Sequence, residues 1–343
     1  MSIRLKDIAA ETGVTPSTVS YVLNGRDKKI GSATRDKVLR AAVRLGYRPN
    51  SSARAIRQGR HGAIALIMSP GSHRSFLSPE LLLGITGELT RSNLRLLVDY
   101  VTDEQLTSEK TLPHLLRERA CDGMLLNYQA HIPPMLGELT ERFRLPTVWL
   151  NASHDYNSVY PDDFGAAKLA TETLLAEGRR RIAYSDSNFN SAAAAGDIHF
   201  SKHARRAGYE AAMQAAGLPT ELLLDPVTPG TLLSRYEKIA IGAKIFRAVF
   251  NRRRPAPPDA VIAYGGWEIE CLRQIFSERD REIPLITFGL NDHQLKDSLL
   301  RGLVIPFEDV GCHAVTMLLQ RIANPESLPS KVIPFRWCDI TRR

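Results

Sequence analysis

Ser17, Thr18, Ser20, Tyr21 and Asn24 fall on one face of the stretch from Pro16 to Asn24, and the opposite face carries Val19, Val22 and Leu23. The polar set is short-chained and uncharged, and its hydroxyls and amide both donate and accept hydrogen bonds. Groups of this kind along a helix have the chemistry to read base edges and phosphate oxygens. The elements that must hold them are equally legible. Leu5, Ile8 and Ala9 recur at i, i+3, i+4 spacing and predict a helix from Leu5 to Thr12. Gly13 follows, where a helix end needs a residue that tolerates positive φ. Thr15 then offers an N-cap oxygen, and Pro16 takes the first position of the second helix. Two short helices joined this tightly make a helix-turn-helix.

Charge supports the same chemistry. The 343 residues carry a net charge of +8, yet residues 1–60 alone hold 13 Lys and Arg against four Asp and Glu. The rest of the chain holds 32 against 33, so all the excess positive charge sits with the helix-turn-helix. A basic segment alone is often only a solvated surface. Joined to this motif, it is the electrostatic footprint of a phosphate-binding module.

A loop from Gly25 to Gly31 with three basic residues comes next, and Ser32 or Thr34 opens a third helix. Val38, Leu39, Ala42 and Leu45 give that helix its apolar face, and Gly46 ends it. Pro49 stops any further helix, and Asn50, Ser51 or Ser52 can cap a short new one with Ile56 exposed between Arg54 and Arg57. Two readings stand here: a linker with a stray isoleucine, or a segment that folds on DNA and wedges Ile56 between minor-groove base steps.

Lys6-Asp-Ile-Ala-Ala, Gly13-Val-Thr, Thr18-Val-Ser-Tyr-Val-Leu-Asn-Gly, Gly46-Tyr-Arg-Pro-Asn and Ala53-Arg-Ala-Ile resemble, in order and spacing, the lactose/galactose repressor (LacI/GalR) family of bacterial transcription regulators. The resemblance implies a head, a hinge helix and a two-lobed core, like a periplasmic binding protein, that dimerises and binds a small effector. By position it implies that Pro16, Ser17 and Tyr21 read bases and that Ile56 is the hinge wedge. The implied DNA-facing set is Thr15, Pro16, Ser17, Thr18, Ser20, Tyr21, Asn24, Tyr47, Asn50, Ala53, Arg54, Ile56 and Arg57.

From Gly62 the pattern changes to strands alternating with helices. Ala63-Ile-Ala-Leu-Ile-Met68 is a continuous apolar run, as expected of a strand buried on both faces of a parallel sheet. Further strands are expected near 94–101, 123–127, 147–150, 181–184, 260–264, 285–288 and 303–307. Helices are expected at Leu81–Leu89, Leu112–Arg119, Met135–Arg142, Asp163–Leu175, His203–Ala216, Lys238–Phe250, Gly266–Phe276 and Val310–Ile322. Such βα units build doubly wound parallel sheets. The expected organisation is an all-α head over 1–48, a hinge over 49–60, and a two-lobed α/β core over 61–343. Lobe 1 would take about 61–160 and 291–323, and lobe 2 about 161–290 and 324–343.

Ligands of such folds sit beyond the carboxyl ends of strands, where loops from both lobes converge. Ser69, Phe76, Asn127, Asp162, His203, Arg205, Trp267, Asn291 and Phe307 are the candidates there. Each has a plainer alternative: Phe76 and Phe307 as packing residues, Arg205 as an ion-pair partner within its lobe. The chain departs from its relatives at Gly265-Gly266-Trp267, where sugar-responsive members carry Asn-Asp, and at Thr287-Phe-Gly-Leu-Asn291, where they carry further carboxylates. Without those hydroxyl-gripping carboxylates a simple neutral sugar is the less expected effector; the second variant is similar to the fructose-type branch, whose effector is a phosphorylated sugar, with His203 and Arg205 as anion contacts. A non-sugar, or no effector, is an open alternative.

The expected function is therefore a DNA-binding transcriptional regulator, a repressor acting as a homodimer on a pseudo-palindromic operator under control of a small molecule. A solute-binding protein of the same core fold conflicts with the basic head and the lack of a signal peptide. An enzyme conflicts with the lack of a P-loop, GxSxG, HExxH or well-placed GxGxxG. Four scattered cysteines and nine unclustered histidines give no metal site and no cofactor, and fit a reduced, cytoplasmic protein.

Overall fold

The computed structural model describes residues 3–25, 29–48, 59–71, 74–107, 110, 117–118, 120–142, 144–196, 198–225, 235–250, 257–277, 283–289 and 301–339. The chain divides between His61 and Gly62 into two compact units.

The first unit is helical. Helix α1, Leu5–Thr12, begins where the Arg4 N–H donates to the Asp7 carboxylate, and it ends at Gly13 with φ 68°. Helix α2, Pro16–Leu23, starts with the Thr18 N–H on the Thr15 hydroxyl at 3.2 Å. Helix α3, Ser32–Arg44, is followed by Gly46 at φ 65°. Ile8, Ala9, Val19, Val22, Val38, Ala41 and Ala42 form the shared core. None of these helices is long enough to persist alone in water, so their order comes from that common apolar contact.

The second unit contains two six-stranded sheets among the described residues. The first has the order β11-β5-β4-β3-β1-β2, every neighbouring pair parallel. Its strands are β1 Ala63–Met68, β2 Arg95–Tyr100, β3 Gly123–Asn127, β4 Thr147–Leu150, β5 Ser158–Pro161 and β11 Lys331–Ile333. The second has the order β12-β10-β9-β8-β6-β7, parallel except for β12 against β10. Its strands are β6 Ile182–Asp186, β7 Glu221–Leu224, β8 Ala260–Ala263, β9 Leu285–Phe288, β10 Arg301–Val304 and β12 Arg336–Asp339. Helices α4 Pro79–Arg91, α5 Pro134–Arg142 and α11 Phe307–Ala323 belong to the first lobe. Helices α6 Asp163–Ala176, α7 Phe189–Ala194, α8 Phe200–Ala215, α9 Arg235–Val249 and α10 Gly266–Ser277 belong to the second. All six residues of β1 are buried, as its unbroken apolar run requires.

The strand expected to return to lobe 1 near 303–307 is a correction. It spans Arg301–Val304 and pairs with β9 and β12 inside the second sheet, so the chain re-enters lobe 1 only at α11, not near 290. The last crossing also falls later than expected: β11 still belongs to lobe 1, and β12 alone returns to lobe 2. Strands β5, β7, β11 and β12, three or four residues each, are too short to show a periodicity. The helix expected from His203 begins at Phe200, because His199 acts as its N-cap. The helix expected over 112–119 lies mostly outside the described residues.

Each lobe is closed by a helix pair that meets through glycine. A Cβ on Gly84 of α4 would lie 2.1 Å from the Glu308 carbonyl oxygen of α11, and one on Gly208 of α8 would lie 2.2 Å from the Phe164 carbonyl oxygen of α6. Both obstacles are backbone and cannot rotate away. Gly84→Ala is therefore expected to destabilise the core by about 2 kcal/mol, read from denaturant unfolding. Gly87→Ala, three residues along the same helix with nothing within 4 Å, should be neutral or slightly stabilising.

Candidate nucleic-acid interface and interlobe cleft

Burying Val19 and Val22 turns the opposite face of α2 outward. Tyr21 is 53% exposed, and Pro16, Ser17 and Asn24 are exposed beside it. The polar side chains divide into two groups. Thr15 and Thr18 share a hydroxyl contact at 2.9 Å, and the Asn24 amide donates to the Ser20 carbonyl at 2.6 Å and the Ser20 hydroxyl at 3.3 Å. These four hold the two ends of the helix. Pro16, Ser17 and Tyr21 are exposed and outside these side-chain contacts, while Thr15 and Asn24 are exposed as well.

Lys6, Lys29, Lys37, Arg40 and Arg48 are exposed around this unit, and Arg44 pairs with Glu11. Tyr47 departs from the expected DNA-facing set: it is half-buried against the head core. Asn50, Ala53, Arg54, Ile56 and Arg57 lie outside the described residues.

In lobe 1 the candidates at the strand ends knit the loop that follows β1. The Ser69 N–H donates to the Ser75 hydroxyl at 2.7 Å, and the Ser69 hydroxyl accepts the Gly71 N–H at 3.2 Å. Ser75 donates in turn to the Asn127 carbonyl at 2.5 Å, while the Asn127 amide donates to the Phe76 carbonyl at 2.9 Å. This scaffold leaves the Phe76 ring half-exposed, 6.1 Å from the ring of Phe307 at the start of α11. Ser69, Phe76, Asn127 and Phe307 are thus brought together at one end of the lobe 1 sheet.

The lobe 2 side is a charged floor. The Arg205 Nε donates to the Asp163 carboxylate at 2.7 Å and its Nη1 to the Tyr264 carbonyl at 3.0 Å, and its guanidinium lies 4.5 Å from the Phe288 ring centroid. Burial works against the guanidinium, but Asp163, Tyr264 and Tyr184 together outweigh it and the Arg205 pKa is raised. Lys202, one turn earlier on the same face, donates to both Asp186 oxygens at 2.6 and 2.7 Å, with its ammonium 4.0 Å from the Tyr264 ring centroid. Burial opposes this charge as well, but Asp186, Tyr264 and Glu268 together outweigh it, so the Lys202 pKa is raised. Asp162 caps α6 through the Gly165 N–H at 2.9 Å.

His203 and Arg205 do not act together. They stand two residues apart on α8 and point to different faces; His203 is exposed, with its ring edge-on to Phe189 at 5.2 Å, whereas Arg205 is buried in its ion pair. The expected pairing of the two as anion contacts is therefore corrected. Trp267 lies in the first turn of α10, and Asn291 lies outside the described residues.

Residues that sequence reasoning passed over join the two lobes. His199 Nε2 lies 2.9 Å from the Asn151 carbonyl at the end of β4, its Nδ1 lies 2.7 Å from the Ser201 hydroxyl, and that hydroxyl lies 2.8 Å from the Tyr264 hydroxyl. Burial, assisted by the positive charges of Arg205 and Lys202, pushes the His199 pKa down to about 4, so the ring is neutral at neutral pH. Phe200 meets Tyr160 of β5 edge-on at 5.4 Å. His199, Lys202 and Arg205 recur every three residues, a spacing that marks one helix face and was the available signal. Among the described residues no cluster of His, Cys, Asp and Glu is arranged to hold a metal ion, and no helix is long and apolar enough to cross a membrane.

Comparison with known proteins bears on both units. Residues 4–50 match the model for bacterial regulatory proteins of the lacI family, and residues 62–266 match the model for periplasmic binding proteins and the sugar binding domain of the LacI family. The transcriptional regulator RegA of Clostridium saccharobutylicum is 30% identical, with 95% of this chain and 94% of the relative covered. The ribose operon repressor of Escherichia coli K12 is 26% identical over 94% of this chain and 93% of its own. Among solved structures, the Lac repressor bound to ONPG in the repressed state superposes with a TM-score of 0.76 at 17% identity, covering 99% of both chains. A complex of the regulator CelR with cellobiose gives a TM-score of 0.58 at 21% identity over 98% of both chains. A helix-turn-helix head, a two-lobed α/β core and these matches along the chain establish that the protein belongs to the LacI family of DNA-binding transcriptional regulators.

Proposed function

We propose that the chain represses transcription as a homodimer, with Pro16, Ser17 and Tyr21 of each copy reading the major groove of a pseudo-palindromic operator. The observation that carries this is the division of α2 into a buried valine face and an exposed, uncharged polar face within a basic unit. A second copy has a surface to meet: Leu82 and Leu83 of α4 and Val98 and Tyr100 of the edge strand β2 are exposed apolar side chains on neighbouring elements of lobe 1. Two copies paired there present two heads, which is why a two-fold symmetric DNA site is the expected target.

Tyr21→Ala tests the base-reading assignment. Anisotropy titrations should give roughly a tenfold loss or more on the preferred sequence and little change on random DNA. Equal losses on both would remove Tyr21 from base recognition.

For the effector we propose a small uncharged polar molecule held between the lobes. Both buried cations at the lobe 2 floor are already matched by carboxylates, Arg205 by Asp163 and Lys202 by Asp186. A phosphate arriving there would have to displace a buried carboxylate from its partner, which costs far more than surface ion pairing returns. This weighs against the phosphorylated sugar that the Thr287-Phe-Gly motif implies. Cellobiose and ribose, named with two structural neighbours, are uncharged. A thermal-shift series on the full chain, using the same sugars free and phosphorylated, separates the cases. Free sugars alone are expected to raise the melting point; shifts from the phosphorylated forms alone would contradict the charge argument. Silence from every compound would favour a regulator of this fold with no small-molecule effector.

A further inference from the structure

Lobe 2 contains a buried acid that neither binding face uses. Glu268, the third residue of α10, is fully buried. Its Oε1 accepts the Ser187 N–H at 2.5 Å and the Ser185 hydroxyl at 3.3 Å, and its Oε2 lies 3.5 Å from the Gly265 nitrogen. Asp186 lies between those two serines on β6, fully buried, with its carboxylate on Lys202.

The surrounding charges can be set out element by element. Strand β6 supplies Asp186 and the buried phenol of Tyr184. Helix α8 supplies Lys202 and Arg205, and the latter is taken by Asp163 of α6. The end of β8 supplies Tyr264, whose ring covers Lys202. On α10 itself Cys271 faces α9, with its sulfur 3.5 Å from the Ile239 carbonyl. Among the described side chains of this cluster, three buried carboxyls, Asp163, Asp186 and Glu268, therefore stand with two cations, each bonded to one of the two aspartates, while buried Asp225 is held apart by Asn190 and Ser191.

A negative charge on Glu268 has a desolvation cost that the Ser187 N–H and Lys202 offset only in part, and protonation is the inexpensive alternative. Because Lys202 grips both oxygens of Asp186, the proton belongs on Glu268. Burial first, and the Asp186 charge second, push the Glu268 pKa up to about 8.

We propose that Glu268 is a proton-holding site that makes the floor of the interlobe cleft responsive to pH. With its proton on, Glu268 is a neutral hydrogen-bonding partner for the Ser185–Ser187 turn. When the O–H bond breaks and the proton passes to solvent, two carboxylates stand beside one ammonium. The strain falls on Lys202 and so on the first turn of α8, which also carries His199 and its bond to Asn151 of lobe 1. This inference does not depend on the identity or existence of an effector.

The sign follows from linkage. The folded-state pKa lies above the ordinary carboxyl value of 4.5, so the folded chain binds the proton more tightly than the unfolded one. The resulting stability is complete below that value and is lost as pH rises through about 8. The test compares thermal midpoints of the full chain between pH 6 and 9 for wild type and Glu268→Gln, which matches the protonated acid in shape. The wild-type midpoint should fall by on the order of 5 °C more than that of the variant; parallel curves would overturn the proposal. Should Glu268→Gln not fold, an indicator dye can follow denaturant unfolding of the wild type at pH 7.5, where unfolded histidines are already almost neutral. Net proton release supports the site, and net uptake or no exchange overturns it.

Discussion

Three short crossings tie the two sheets of the core together among the described residues, and the behaviour of the cleft depends on them. The chain passes from β5 to α6 at 161–163, from β10 to α11 at 304–307, and from β11 to β12 at 333–336. Each link is only a few residues long, so the lobes cannot separate, and none contains a helix or strand, although Phe335 packs against the lobe 2 core and Pro306 is buried. Short parallel links between two lobes are the covalent arrangement that hinge closure requires. Two contacts span the lobes: the His199–Asn151 hydrogen bond and the Tyr160–Phe200 ring contact. A molecule bound between strand ends on both sides can shift the angle between the lobes only by contacting the two states differently.

The interior of lobe 2 holds a set of buried charges. Two of its buried carboxylates are matched by Lys202 and Arg205, an arrangement that contributes little net stability but penalises any change that breaks one partner away. Arg205 and Lys202 are fixed by their carboxylates rather than poised for an arriving anion, and the aromatic rings of Tyr264 and Phe288 cover them. Lobe 1 offers the complementary half: a hydrogen-bonded loop through Ser69, Ser75 and Asn127, and the rings of Phe76 and Phe307.

The head was legible almost residue by residue, because local rules govern it. Gly13 at positive φ, Thr15 as a cap and Pro16 in the first turn are all short-range signals, and the structure contains each of them. Strand β1 was equally plain, since six apolar residues in a row have few alternatives. The cleft was not. Whether Arg205 faces a ligand or an aspartate depends on Asp163, 42 residues away in sequence, and nothing local encodes that pairing. Glu268 was invisible for the same reason: a carboxylate in a helix reads as a solvated residue until the fold buries it beside Asp186. The crossing misplaced at 290 has a similar origin, because a four-residue strand carries no mark of the sheet it joins.

The central claim is that paired heads recognise a two-fold symmetric DNA site through one face of α2. Its most direct test is selection of bound sequences from a random double-stranded library by the full chain, read by sequencing. The account predicts enrichment of an inverted repeat whose half-sites are related by a two-fold axis, lost when selection is repeated at high salt. Enrichment of a single unsymmetrical site, or of no sequence at all, would contradict it.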